Sequence, residues 1–220
     1  MARIDRYKQH YKNAIYHIFN RGVNKEKIFM EENDYIFYLK KIKQYKEKYG
    51  VEFISYALLP NHFHYIIRQT TDDIPLAGAR GDSHIKGDCH RKQSCDKSPI
   101  SKFMHALHTS YAFYFNKKYK KVGHLFQDRY KQRIVEEEKY LIWLSSYVNG
   151  NAKIHKIADN LKDWKFSSYL DYAGLRNGIL CNKELVTSYF ESPEKYAEAI
   201  EEAVELSRER KDALADMEIG

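Results

Sequence analysis

Apolar residues recur along this chain in blocks of two different periods, and the periods predict its elements. Residues 14–20 are short, apolar and β-compatible, and they end in Arg21-Gly22, a turn signal. From about residue 32 to 49, Tyr35, Ile36, Leu39, Ile42 and Tyr45 recur at helical spacing, with Gly50 where a helix-ending glycine belongs. Residues 51–59 read as a strand, Pro60-Asn61 as a break and residues 62–68 as a second strand, so the two form a hairpin or neighbouring strands. Ser98-Pro99 has the N-cap and first-position proline of a helix running to about Tyr119, with Phe103, Leu107, Tyr111 and Tyr114 on one side. Gly123 opens an extended stretch through Val135. Glu136-Glu137-Glu138 then begins a helix that carries Tyr140, Leu141, Leu144, Tyr147 and Asn151. After a loop, residues 164–172 pack back, and the remainder reads as helical.

Between these blocks, residues 70–97 hold Gly78, Gly81, Gly87 and several Asp and Ser but few large apolar residues, which predicts a long polar insertion at about 70–98. Strands interleaved with helices by connections of mixed length suggest an α+β fold with a mostly antiparallel sheet. There is no internal repeat.

Composition narrows the function classes. The 220 residues include 37 Lys and Arg against 30 Asp and Glu, a net charge of +7. The excess is local: residues 102–133 contain eight Lys and Arg (Lys102, Lys117, Lys118, Lys120, Lys121, Arg129, Lys131 and Arg133) against the single acid Asp128. Nineteen tyrosines accompany these cations, and rings among cations suit nucleic acid, because rings stack on unpaired bases while cations neutralise phosphates. Three cysteines, Cys89, Cys95 and Cys181, form no disulfide framework, and with no apolar signal region they point to a cytoplasmic location. No stretch approaches the roughly 20 apolar residues of a membrane span.

His62 and His64 lie two apart on a predicted strand, so both imidazoles share one face with Phe63 on the other. Such a pair suits a divalent metal but needs a further ligand. Tyr147 and Asn151, four apart on a predicted helix, share a face: Asn offers a carbonyl oxygen for Mg²⁺ or Mn²⁺, and Tyr a phenol capable of covalent attack. Periodicity alone does not choose Tyr147 over Tyr140. Arg21, Asn24 and Lys25 read equally as a DNA-gripping turn or a solvated loop. Lys117, Lys118, Lys121, Arg129 and Lys131 interleave with aromatics around a Gly break and are the stronger DNA-contact candidates. His84, Cys89, His90 and Cys95 in the insertion match no standard zinc spacing.

The segment LLPNHFHYIIRQ resembles the Pro-Asn-His-hydrophobic-His signature of the single-tyrosine HUH transposases, especially the branch associated with repetitive extragenic palindromes (REP). YHIFNRGVNKEKIF, GHLFQDRYK, YLIWLSSYVNGNAKIHKI and DWKFSSYLDY resemble further blocks of that family, in its order, over roughly residues 14–172. The resemblance implies a ferredoxin-like antiparallel sheet with helices packed on it, in a nuclease domain over residues 1–175, followed by a helical C-terminal extension over 176–220. It implies that His62, His64 and Asn151 hold the metal and that Tyr147 is the nucleophile. It also implies metal-dependent nicking and joining of single-stranded DNA that carries hairpin or palindromic elements, through a 5′-phosphotyrosine, by a monomer or homodimer. Asn149 and Ala152 stand where relatives show His and Pro. The alternative is a non-catalytic nucleic-acid-binding protein that retains the fold.

Overall fold

A computed structural model describes residues 10–71 and 98–218. His84, Cys89, His90 and Cys95 of the predicted insertion lie outside the described residues. Four strands, β1 (Ile15–Arg21), β2 (Val51–Leu59), β3 (His62–Gln69) and β4 (Lys131–Val135), form one antiparallel sheet in the order β2-β3-β1-β4. Helix α1 (Glu32–Tyr49) connects β1 to β2, and α2 (Pro99–Tyr119) lies between β3 and β4. This order is that of a ferredoxin-like sheet, as the family resemblance implied, and it agrees with the mostly antiparallel α+β fold read from the residues.

Helices cover both faces. Phe63, Tyr65 and Ile67 of β3 join Tyr16 and Ile18 of β1 in a core with α1 and α2. The alternate residues face the opposite layer, built from α3 (Glu138–Asn149), α4 (Asn151–Ile154) and α7 (Pro193–Glu218), with α5 (Tyr169–Tyr172) and α6 (Glu184–Thr187) beside them. Leu141, Leu144 and Val148 of α3 are buried there, each contributing on the order of 2 kcal/mol by removing apolar surface from water. Tyr196, Ile200 and Val204 of α7 belong to the same core, so the C-terminal stretch packs directly on α3.

Local signals set the element ends. The Asp34 carboxylate accepts from the backbone N–H of Met30 and Glu31 and so caps α1, and Gly50 closes that helix in the left-handed conformation at φ 61°. Ser98 caps α2 through its hydroxyl, with Pro99 at the first position. Two elements differ from the sequence pattern. The extended stretch after Gly123 meets the end of β1 through the Gly22–Phe126 bridge and the Gln127 N–H donated to the Arg21 carbonyl at 2.9 Å, pairs with β1 again from Lys131, and loops away at residues 128–130 between these contacts. The Asn20 side chain holds that loop through the Asp128 carbonyl at 2.9 Å. The predicted helix through Asn151 is interrupted at Gly150, whose own backbone lies at φ −78° and ψ −6°.

Asp34 also ties the two outer helices together. Its fully buried carboxylate receives Lys118 Nζ at 2.6 Å, Tyr119 Oη at 2.7 Å and Tyr114 Oη at 3.1 Å, all from α2. Burial alone would raise the Asp34 pKa, but the bonds from Lys118, Tyr119, Met30 and Glu31 outweigh it and leave the carboxyl below its ordinary value. A lowered native pKa stabilises the fold above the unfolded carboxyl's range, and that contribution disappears as pH falls through the native value. Replacing Asp34 with Ala removes the buried partner of Lys118, which keeps only Glu31 as an ion-pair partner, and the cap of α1, and is expected to cost about 3 kcal/mol in urea denaturation at pH 7. The loss should shrink as pH falls through the lowered native Asp34 pKa, where the wild-type carboxyl itself becomes neutral.

Candidate functional site

Strand register assembles the site. In the antiparallel ladder Lys131, Phe19, His64 and Ala57 stand directly opposite one another across all four strands. Arg133, His17, Ile66 and Ser55 form the adjacent row on the same face, and Arg21, His62 and Leu59 the row on the other side. The face under α3 therefore presents three histidines in the two central strands and a pair of cations on the edge strand.

Each predicted histidine is oriented through Nδ1. His62 Nδ1 lies 2.6 Å from Asn61 Oδ1, and His64 Nδ1 lies 3.0 Å from His17 Nε2. The His62 and His64 rings are 5.4 Å apart by centroids, and His64 is 8% exposed. His17 stacks on His64 at 5.3 Å, and Phe19 stacks on the same ring at 5.6 Å. Burial pushes the His17 pKa down to about 4, with Arg133 adding to the effect, so His17 is neutral at neutral pH. His155, just after α4, sits at 4.5 Å from His62.

Helix α3 delivers Tyr147 to this pair within one chain. The Tyr147 ring stands edge-on to His64 at 5.8 Å and 90°, and its other neighbour is Trp143, stacked at 5.5 Å and 14°. Burial raises the Tyr147 pKa, Tyr140 adds to that rise, and a hydrogen bond with Asn151 opposes it. Asn151 is fully buried. Its amide Nδ2 donates to the Tyr147 carbonyl at 3.3 Å, and its Oδ1 is buried without a hydrogen-bond partner. An unpartnered buried amide oxygen costs free energy unless something positive meets it. Among the described residues no three His, Cys, Asp or Glu side chains cluster as a metal site. The amide oxygen of Asn151 is a donor of the kind a hard divalent cation takes alongside imidazoles.

Asn149, where the resembling family shows His, points away from this site. Its Nδ2 donates to Tyr196 Oη at 2.7 Å and its Oδ1 accepts from Ser168 Oγ at 2.6 Å. Ser145 Oγ bonds Tyr196 Oη at 2.7 Å and Ser55 Oγ at 2.9 Å, so β2, α3 and α7 share one buried polar network. A Cβ at Gly150 would approach Val204 Cγ2 to 2.6 Å; glycine is what lets α7 dock this closely.

The predicted DNA-contact residues divide between the two layers. Arg21 is exposed at the end of the His62 row, where its Nε donates to Gln127. Asn24 and Lys25 form an exposed turn at positive φ (52° and 60°), and the Lys25 carbonyl accepts from Asn61, the residue that orients His62. Lys131 is exposed in the His64 row, and Arg129 is exposed in the loop before β4. Lys117, Lys118 and Lys121 sit in the α1–α2 layer, on the side of the sheet away from the histidines. Lys117 is exposed there, Lys118 is paired with Asp34 and Glu31, and Lys121 with Glu26. Sequence reasoning missed His17, His155, Arg133 and Trp143 as neighbours of the site. His17 carries a period-two signal on β1, but only strand pairing places it beside His64.

No family model and no curated protein match the chain. Among solved structures, a REP-associated tyrosine transposase bound to a REP hairpin matches at a TM-score of 0.53 with 14% identity, covering 81% of this chain and 98% of that one. A candidate transposase from Deinococcus radiodurans R1 matches at a TM-score of 0.37 with 13% identity, covering 63% of this chain and 91% of that one. The first likeness shows that the chain has the fold of a tyrosine transposase. Among the described residues, no helix is long and apolar enough to cross a membrane.

Because Asn149 and Ser145 both depend on the Tyr196 hydroxyl, Tyr196→Phe leaves a buried amide donor unmet. It is expected to lower stability by about 1–2 kcal/mol in chemical denaturation. An unchanged midpoint would mean that the network adds nothing to the docking of α7.

Proposed function

We propose that the protein nicks and joins single-stranded DNA by transesterification at Tyr147. The observation that carries this reading is the meeting, in one chain, of the Tyr147 ring with His64, and the buried Oδ1 of Asn151, four residues after Tyr147, supports it. The Tyr147 phenol oxygen attacks phosphorus and loses its proton. The bond from phosphorus to the 3′ oxygen breaks, leaving a 5′-phosphotyrosine and a free 3′-hydroxyl. Attack by a 3′-hydroxyl on that linkage restores the phenol and reseals a strand, so no external energy source is consumed. The solved likeness bound to a REP hairpin supports hairpin-flanked DNA as the substrate class.

His62, His64 and Asn151 would hold Mg²⁺ or Mn²⁺, which when bound supplies positive charge to the reacting phosphate. For His64 to offer Nε2, its Nδ1 carries the proton and donates to His17 Nε2. A neutral His17 is the acceptor this requires, which makes His17 a positioning residue. Arg21 and Lys131, in the rows of His62 and His64, are suited to the DNA backbone, with Asn24, Lys25 and Arg129 farther out; Lys117, on the opposite layer, is not part of this path. The non-catalytic alternative rested on the altered residues after Tyr147. Asn149 is engaged with Tyr196 and Ser168 instead of the site, which favours the catalytic reading.

Incubation with labelled single-stranded hairpin DNA and Mn²⁺ is expected to give an adduct that survives denaturation. Tyr147→Phe should reduce it by at least about a thousandfold. Adduct formation at the wild-type level would remove Tyr147 from the reaction. Cleavage that survives Tyr147→Phe but not His62→Ala would instead indicate hydrolysis. Salt-sensitive DNA binding indifferent to chelator, with no cleavage, would support the binding-module alternative.

His17→Phe retains a ring in the stack but loses the acceptor. Mn²⁺ affinity, read by electron paramagnetic resonance without DNA, should fall by about 10–100-fold. Unchanged affinity with a lowered melting temperature would assign His17 to packing alone.

A further inference from the structure

Tyr140, Trp143 and Tyr147 follow one another along one side of α3, and their rings form a ladder. Tyr140 and Trp143 are stacked at 5.9 Å and 17°, and Trp143 and Tyr147 at 5.5 Å and 14°. All three are half-buried, whereas Leu141, Leu144 and Val148 supply the buried packing of the helix. Trp143 therefore leaves part of a large aromatic surface in water immediately beside Tyr147. At 5.9 and 5.5 Å the two near-parallel neighbours are offset from the indole and leave part of it uncovered while fixing its plane, so a flat group can lie on the uncovered part with little loss of side-chain entropy.

Cations accompany the ladder. Lys131 and Arg133 lie on the sheet face that α3 covers, on the edge strand leading into that helix. Both are exposed, and neither makes an ion pair among the described residues. Glu136, Glu137 and Glu138, exposed at the start of α3, place negative charge at the Tyr140 end. Charge thus favours a polyanion beside Tyr147 and Trp143 and opposes it near Tyr140.

We infer that Trp143, with Lys131 and Arg133, forms a track for the unpaired nucleotides flanking the reacting phosphate, one base stacking on the indole while the two cations neutralise neighbouring phosphates. The assignment rests on the nicking reading for the position of that phosphate, but the track itself binds without chemistry. Its ligand is single-stranded because duplex DNA hides its base faces from a protein ring. Tyr140, beside the acids, lies beyond the end of the track.

The chain has two tryptophans, and Trp164 is tied through its indole N–H to the Leu58 carbonyl at 3.1 Å in another part of the fold. A Trp164→Phe variant therefore makes Trp143 the sole reporter. Oligothymidine titrated into it with chelator present is expected to quench its fluorescence, and a duplex of equal length is not. In the chain that retains Trp164, with affinity read from labelled oligothymidine, Trp143→Leu, which keeps apolar bulk without a ring, should weaken binding about tenfold or more, and Trp143→Tyr should restore most of it. Lys131→Gln with Arg133→Gln, on an exposed edge that tolerates neutral residues, should reduce the salt slope of binding by about 1.4. Wild-type affinity in Trp143→Leu, equal quenching by duplex, or an unchanged salt slope would each overturn the track. Tyr147→Phe keeps the ring and should bind as before. Binding that persists while no adduct forms in the unmodified chain would overturn the nicking reaction and leave the track standing, and an adduct without quenching would do the reverse.

Discussion

The register between β1 and β3 is the constraint on which the site depends. It places Phe19 opposite His64 and His17 opposite Ile66, so that His17 can reach across to the His64 ring. A slip of one residue in β1 would turn Tyr16 and Ile18 out of the first core and His17 into it, and a slip in β3 would do the same to Phe63 and Tyr65 with His62 and His64. The cost of burying those imidazoles among rings and exposing those rings to water holds the register, so the packing that stabilises the sheet also aligns the site. The same register extends to β4 and brings Lys131 and Arg133 into line with the histidines.

A second constraint fixes the distance of Tyr147 from the sheet. Hydrophobic residues of α3 give attraction without direction, and the Ser55–Ser145–Tyr196–Asn149–Ser168 network supplies direction. Gly150 removes the side chain that would hold α7 off. The helix break at that glycine turns Asn151 so that its amide meets the Tyr147 carbonyl and leaves Oδ1 unmet in a buried corner.

The opposite layer uses its charges for architecture. Asp34 draws Lys118, Tyr114 and Tyr119 onto α1, and Glu26 draws Lys121. The densest run of lysines in the chain thus serves partly as internal ties, whereas the cations nearest the histidines come from a short edge strand.

Much of this was legible in the chain itself. Period-two alternation put His62 and His64 on one face and Phe63 on the other; helical spacing put Tyr147 and Asn151 on one side; Gly50 and Ser98-Pro99 marked helix ends. These are local properties, set by backbone geometry within a few residues. The sequence could not say that His17 would orient His64, that Arg133 and Trp143 would flank the site, or that Asn149 would turn away to Tyr196. His17 with His64 and Asn149 with Tyr196 each join residues 47 positions apart, and even Trp143, four residues from Tyr147, reaches the site only because α3 packs on the sheet. Such pairings are decided only when two faces close on one sheet and every buried donor must find its acceptor.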